Sequence, residues 1–397
     1  MGIMTPTKKV LFITEGKFPN GDAGSIRFYY LSKAFSDLGY SVDLLTQGYS
    51  PYGVFTSFDF GRFASLRIQS KISIYGKARN HIGMARRYFH FYQQHCQDYS
   101  VLVFGGVLSR TLLKKYVSLA HRHNALLVFS LVEWFSPSEF ALGSASLTYR
   151  KRDSFIRQIT KEDGKVIAIS SFLTRYFADK GVDSVTIPFV MSKDTVLGPS
   201  KIQSDVRSSD RQRNFYYAGD PAKKDLLEKM VVGFSLLSKE DLDQSRLHIF
   251  GIGEDFFSKN TRGIIDKKLQ GHIVFHGRTK REELLNQVSS FDFSILLRDE
   301  NERFAKAGFP TKITESLFLG IPPVTNLTSD LGLYLKDGEN AIIARNSDSK
   351  AFSEALHRAI GLSDFSLSLL KANAKATAHK ELAVENFEKE LGDLLSA

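Results

Sequence analysis

The sequence predicts an α/β protein built as two doubly wound, Rossmann-like lobes facing each other across a cleft. Three observations carry that expectation. The chain has 397 residues, more than one hydrophobic core usually serves. Short apolar runs rich in β-branched residues alternate with helical patterns along it. The alternation is broken by the polar, aperiodic stretch 192–213, which contains Pro199 and several serines, and then begins again.

The elements follow in order. Lys9-Val10-Leu11-Phe12-Ile13-Thr14 is apolar on both faces, the pattern of a buried parallel strand. A loop containing Gly and Pro covers 16–24, and residues 26–38 then place apolar side chains near a 3.6 period until Gly39 stops the helix. With a strand at 41–46 this makes a β-loop-α-β unit, whose crossover is right-handed. Further strands are expected at 101–104, 125–131, 166–169 and 185–187, and helices at 110–122 and 172–180. Past the break come a strand at 214–218, a helix at 224–238 and a strand at 246–250. Strands at 273–275 and 293–297 flank a helix at 280–289, and after the loop 298–308 come a helix at 311–319 and strands at 323–325 and 341–343. The stretch 351–397 is mostly helical. The expected division is 1–195, 196–375, and a tail at 376–397 that packs back on the first lobe. Sheets of this kind bind ligands at the carboxyl ends of their strands, so two of them place a site in the cleft.

Composition narrows the class. A hydrophobic share of 43% and a charged share of 24% are those of a globular protein, with no disordered or fibrous bias. The single cysteine, Cys96, fits a reducing compartment and gives thiol or metal chemistry no support. Residues 1–9 lack the apolar stretch of a signal peptide, and no apolar run approaches the ~20 residues that span a bilayer. A cytoplasmic protein is expected. Its charge is lopsided: residues 1–195 hold 25 Lys and Arg against 14 Asp and Glu, a net +11, and the remainder nets −1. Such a half favours an anionic partner. The basic and aromatic stretch 62–87, including Arg62, Arg67, Lys71, Lys77, Arg79, Arg86 and Arg87, suggests a membrane surface. An amphipathic core helix with a solvated basic face is the plainer reading. No nucleic-acid recognition module is visible.

The densest chemical motif is Ala307-Gly308-Phe309-Pro310-Thr311-Lys312-Ile313-Thr314-Glu315, continuing to Gly320-Ile321-Pro322. A Gly-containing turn feeds a helix with Pro310 near its first turn. The exposed N–H groups and positive end of that helix suit a phosphate, and Lys312 adds a mobile cation. Glu315, one turn on, is placed to accept two hydrogen bonds from a ribose diol. A well-capped helix with a solvated Glu is the alternative.

From Val10 to Leu395 the chain resembles the family 4 glycosyltransferases and their GT-B relatives, whose donor motif runs Glu-Gly-Phe-Gly-x-x-x-x-Glu-Ala-x-Ala-x-Gly-x-Pro-Val. Gly308, Phe309, Glu315, Gly320 and Pro322 match it. The first Glu of the motif, which contacts the donor sugar, falls on Ala307. Pro310, Lys312 and Glu315 fit a related Pro-x-Lys-x-x-Glu form. The resemblance implies that Gly308, Phe309, Pro310, Thr311 and Glu315 bind a nucleotide-sugar donor. It also implies cations for the diphosphate beside Gly219. The position following that glycine, where relatives carry Arg, is Asp220, with Lys223 and Lys224 nearby and Lys224 expected at the start of a helix. By the same resemblance Gly251 and Arg278 lie at turns facing the nucleotide, and Gly24 in the loop 21–24 that closes over the donor phosphate. Glu133, at a strand end where relatives often carry His, is the candidate for the acceptor side; a rim carboxylate without a role is the alternative.

The expectation is a retaining transferase. It moves a sugar from a UDP- or GDP-sugar to a glycan or lipid-linked acceptor in surface polysaccharide or glycoconjugate synthesis. It works peripherally at the inner face of the membrane, with Lys224 and Lys312 as catalytic cations. Neither metal nor cofactor is expected, because protein cations neutralise the diphosphate. An inert GT-B accessory subunit and a sugar-nucleotide epimerase are the rival readings.

Overall fold

A computed structural model describes residues 8–18, 23–48, 52–66, 74–195, 212–254 and 268–396. The chain divides into two compact units, Met1–Ser192 with Val384–Ala397, and Lys193–Ala383. The α/β expectation holds: each unit is a parallel sheet flanked by helices.

The first unit contains β1 (Lys9–Thr14), β2 (Ser41–Thr46), β3 (Thr56–Phe58), β4 (Gly61–Ser65), β5 (Val101–Gly105), β6 (Leu126–Leu131), β7 (Lys165–Ala168) and β8 (Ser184–Thr186). Their order is β3-β4-β2-β1-β5-β6-β7-β8. Only the β3–β4 pairing is antiparallel. Val10, Leu11 and Phe12 are all 0% exposed, as a central strand covered on both faces requires. Chain order reverses between β1 and β5, which makes their carboxyl ends the switch point of this sheet.

The helices of this unit are α1 (Ala23–Asp37), α2 (Ile74–His95), α3 (Arg110–Arg122), α4 (Leu147–Gln158) and α5 (Ser171–Ala178). Arg27 anchors α1 although it is 1% exposed. Its guanidinium donates to Pro188 O at 2.7 Å, Ile187 O at 3.0 Å and Ser130 Oγ at 3.4 Å. Those bonds compensate a burial that depresses its pKa to about 9.

The basic stretch 62–87 is not one amphipathic segment. Arg62 stands on β4, where its guanidinium grips the buried carboxylate of Asp43, and Phe63 is in the core. Residues 67–73 lie outside the described residues. Arg87 donates to Leu66 O at 2.7 Å, and Tyr88 is buried. Of the aromatic residues that suggested a surface, Phe63 and Tyr88 are buried and Phe89 packs edge-on against Tyr116.

The last residues complete the first unit. Val384 N–H donates to Met191 O at 2.8 Å, and Ser192 Oγ meets Glu385 at 2.6 Å. Glu385 also pairs with Lys33 at 3.2 Å. The terminal helix (Glu388–Ser396) is held through Lys165, whose ammonium reaches Leu394 O at 2.8 Å.

The second unit contains β9 (Arg213–Ala218), β10 (Ser245–Phe250), β11 (Ile273–Gly277), β12 (Phe293–Leu296), β13 (Pro323–Asn326) and β14 (Ile342–Ala344). Their order is β11-β10-β9-β12-β13-β14, all parallel. Here the reversal falls between β9 and β12. Its helices include α6 (Leu227–Ser235), α7 (Lys239–Asp243), α8 (Arg281–Val288), α9 (Arg303–Ala307) and α10 (Thr311–Phe318). The stretch 298–308, expected as a loop, therefore contains a short helix.

Candidate active site

The carboxyl ends of β9, β10 and β11 finish on three glycines with positive φ: Gly219 at +124°, Gly251 at +102° and Gly277 at +64°. Gly219 N–H donates to Phe250 O at 3.0 Å, and Gly251 N–H to Gly277 O at 2.7 Å. The turns are so close that a Cβ on Gly251 would lie 2.5 Å from the Gly219 oxygen. Glycine is required there by both conformation and space.

Beyond Gly219 the chain does not enter a helix at once. Asp220 accepts the Ala222 N–H at 2.9 Å, and the chain turns through Lys223 and Lys224. Leu226 N–H then reaches across to Leu297 O at 2.9 Å. That bond, with the bridge between Asp225 and Arg298, holds the segment extended and delays α6 until Leu227. Lys224 therefore stands in a turn, not at a helix opening. Lys223 is exposed, whereas Lys224 is half-buried.

Asp225 is the centre of the site. Its carboxylate is 2% exposed and accepts from Arg298 Nε at 2.8 Å, Lys312 Nζ at 2.5 Å and the Tyr217 hydroxyl at 2.8 Å. Burial opposes its charge, but Arg298 and Lys312 outweigh it and hold the pKa below the usual carboxylate value. Lys312 also lies 5.0 Å from the Tyr217 ring centroid. A Cβ on Gly219 would sit 2.9 Å from Lys312 Cε and 3.2 Å from its Nζ. For Lys224, burial comes first, then the repulsion of Arg298 and more weakly of Lys312. Together these depress its pKa to about 8 against the attraction of Asp225. Three cations thus gather round one buried carboxylate, a net excess of positive charge at the switch point of the sheet.

The amino end of α10 borders this cluster. Pro310 occupies its cap position without a side-chain cap, so the first turn presents backbone N–H groups beside Lys312. Gly308, Phe309 and Pro310 are buried and Thr311 is half-buried. The Phe309 ring packs edge-on against Tyr334 at 5.7 Å. Ala307, 0% exposed, closes α9. Glu315 is 20% exposed and pairs with Arg281 at 2.7 Å.

The remaining candidates are scattered. Arg278 is exposed just past β11, and Gly24 is half-buried within α1, with Gly21 and Asp22 outside the described residues. Glu133 is half-buried two residues past β6, and the next residue, Trp134, donates to Asp153 at 2.8 Å. The structure therefore brings together Gly219, Lys224, Gly251, Thr311 and Lys312, with Glu315 one turn along α10. Sequence reasoning missed Asp225 and Arg298. A signal existed for the second: it is the first charged residue past the buried strand β12, at the switch point. A further polar ladder crosses the sheet behind the glycines. His248 Nδ1 lies 2.9 Å from His276 Nε2, and His248 Nε2 lies 3.2 Å from Asn214 Oδ1. Burial, then His276 and Arg246, depress the His248 pKa to about 4, and burial lowers that of His276.

Among the described residues no group of His, Cys, Asp and Glu could hold a metal ion, and no helix is long and apolar enough to cross a membrane.

Comparison with known proteins places this geometry. Residues 212–361 match the family model of glycosyl transferases group 1. No curated protein matches the sequence. Among solved structures, sucrose-phosphate synthase from Thermosynechococcus elongatus superposes with TM-score 0.73 at 14% identity, covering 98% of each chain. HepE of Anabaena bound to UDP-glucose gives 0.65 at 15%, over 98% of this chain and 99% of that one. WaaG, a glycosyltransferase of lipopolysaccharide biosynthesis, gives 0.67 at 12%, over 98% and 100%. These likenesses establish the fold. The region 212–361, with its glycine turns and cation cluster, is the part that matches glycosyl transferases group 1, and the chain as a whole has the GT-B fold of these glycosyltransferase structures.

Proposed function

We propose that the protein is a retaining glycosyltransferase that moves a sugar from a nucleoside-diphosphate donor to a glycan or lipid-linked acceptor. The observation that carries this reading is the cluster of Lys224, Arg298 and Lys312 beside the uncapped start of α10. In transfer, the bond from the anomeric carbon to the diphosphate oxygen breaks, and its electron pair leaves with the nucleoside diphosphate. A bond to the acceptor oxygen forms, and the acceptor hydroxyl passes its proton to the departing diphosphate. Negative charge on the diphosphate grows along that path, so preorganised cations and N–H groups favour the transition state over the bound donor. We assign Lys224, Lys312 and the α10 amino end to this task, in place of a divalent metal, and Glu315 to the ribose diol. The backbone at Gly219 and Gly251 and the side chain of Arg278 border the nucleotide. On the first unit Glu133 serves the acceptor. The match of 212–361 and the UDP-glucose bound by HepE support a nucleotide-sugar donor.

A second reading, an inert accessory subunit, rests on the buried Ala307 where relatives carry a sugar-contacting Glu. Incubation with UDP-, GDP- and ADP-sugars separates the two. A transferase releases nucleoside diphosphate from one of them, faster with acceptor; an inert subunit releases none even at saturating donor. Product formed without acceptor, and without nucleotide release, would indicate an epimerase.

The first unit is proposed to meet an anionic membrane. Neither α2 nor α3 contains an acidic residue. The two pack together through Phe89 and Tyr116, with Arg86, Arg110, Lys114, Lys115 and Arg122 exposed.

A further inference from the structure

Arg298 is fixed at both ends in a way that leaves its reactive face open. Its backbone N–H donates to Asn326 Oδ1 at 3.1 Å, and its carbonyl accepts from Asn326 Nδ2 at 2.8 Å. Its Nε is spent on Asp225 at 2.8 Å. The two terminal amino groups have no partner among the described residues, although the side chain is only 14% exposed. A guanidinium held by Nε presents those amino groups as a planar fork, the geometry that matches two phosphate oxygens. The same carboxylate fixes Lys312, and its remaining hydrogen bond comes from Tyr217, a buried hydroxyl. One anion thus orients two cations whose mutual repulsion would otherwise drive them apart.

We propose that Arg298 is a further cation of the donor diphosphate site, its fork taking one phosphoryl group, and that Asp225 is the residue positioning Arg298 and Lys312 for it. This rests on the donor reading above. Asp225 touches no substrate: it acts by setting where two charges stand before the donor arrives, which is the preorganisation that electrostatic catalysis needs.

Calorimetric titration of the full chain with UDP, GDP, ADP and CDP, each beside its monophosphate, tests the first half. Arg298→Gln is expected to weaken the diphosphate about tenfold or more while the monophosphate changes less, and Arg298→Lys to recover part of the loss. Wild-type diphosphate affinity in Arg298→Gln overturns the assignment while leaving the donor reading intact. A wild-type chain that binds no nucleoside diphosphate overturns both. The second half is read from turnover of the nucleotide-sugar. Asp225→Asn makes the cluster more positive, so a role in charge alone predicts tighter diphosphate binding and undiminished kcat. Positioning predicts a kcat lower by about tenfold or more with KM little changed. Should Asp225→Asn fail to fold, Tyr217→Phe removes a single bond to the same carboxylate and is expected to lower kcat in the same sense. A normal kcat in the folded variant overturns the positioning role.

Discussion

Raising the pH through about 8 discharges Lys224, and this makes donor binding titratable. Burial and two neighbouring cations hold the Lys224 pKa at about 8, against an ordinary value near 10.4. An anionic donor binds the protonated form, so affinity is full below about pH 8 and falls as pH climbs through it. If only the cationic form binds well, the dissociation constant rises about tenfold between about pH 7 and about pH 9. A bound diphosphate also raises the pKa of the lysine it touches. Near pH 8, where about half the free protein is deprotonated at this site, binding takes up about half a proton. A nucleotide-sugar is the ligand to use, since its doubly esterified diphosphate does not itself titrate there. Calorimetry in two buffers of different ionisation enthalpy measures affinity and proton uptake together. Lys224→Arg keeps the charge at every pH in the window and should abolish both effects. A flat affinity with no proton uptake in the wild type would show that Lys224 does not touch the diphosphate.

Other consequences follow from the same geometry. Glu315→Ala should weaken the donor by roughly 1.5–3 kcal/mol per ribose hydrogen bond lost. Its stability cost should stay below about 1 kcal/mol, because the partner Arg281 is 44% exposed; unchanged affinity by calorimetry would remove Glu315 from the pocket. Gly251→Ala places a Cβ 2.5 Å from the Gly219 oxygen and should lower stability by about 1–3 kcal/mol in thermal unfolding. Gly219→Ala meets the flexible end of Lys312 instead, so beyond the backbone strain of its +124° φ it should lower donor turnover more than Gly251→Ala does. Equal behaviour of the two variants in both assays would mean that Lys312 does not serve the donor. Flotation with anionic liposomes should recover the protein at low salt and release it at high salt. Substituting Arg110, Lys114 and Arg122 by Gln should reduce recovery, and binding indifferent to lipid charge and salt would refute the membrane reading.

The fold was legible because strands such as β1 and β12 are apolar on both faces, a pattern specific to covered parallel sheets. Helix starts were less so. The helix expected from Lys224 begins at Leu227, since the pull of Leu226 towards Leu297 is a tertiary contact between segments some 70 residues apart that no local pattern encodes. The same holds for the site. Lys312 and Glu315 lie on one recognisable helix start and were found. Asp225 and Arg298 meet only after β9 and β12 pair across the switch point, so their partnership is invisible along the chain. Nor can composition tell a cation bound to a buried Asp43, as Arg62 is, from one facing solvent.

The central claim is that the second unit holds a nucleoside diphosphate at the ends of β9, β10 and β12 and the start of α10. Hydrogen–deuterium exchange with and without each nucleotide-sugar measures this directly. The account predicts that one donor slows exchange in peptides covering 217–226, 251–253, 298–300 and 308–316. Protection confined to other segments, or none at saturating concentrations of every donor, would contradict it.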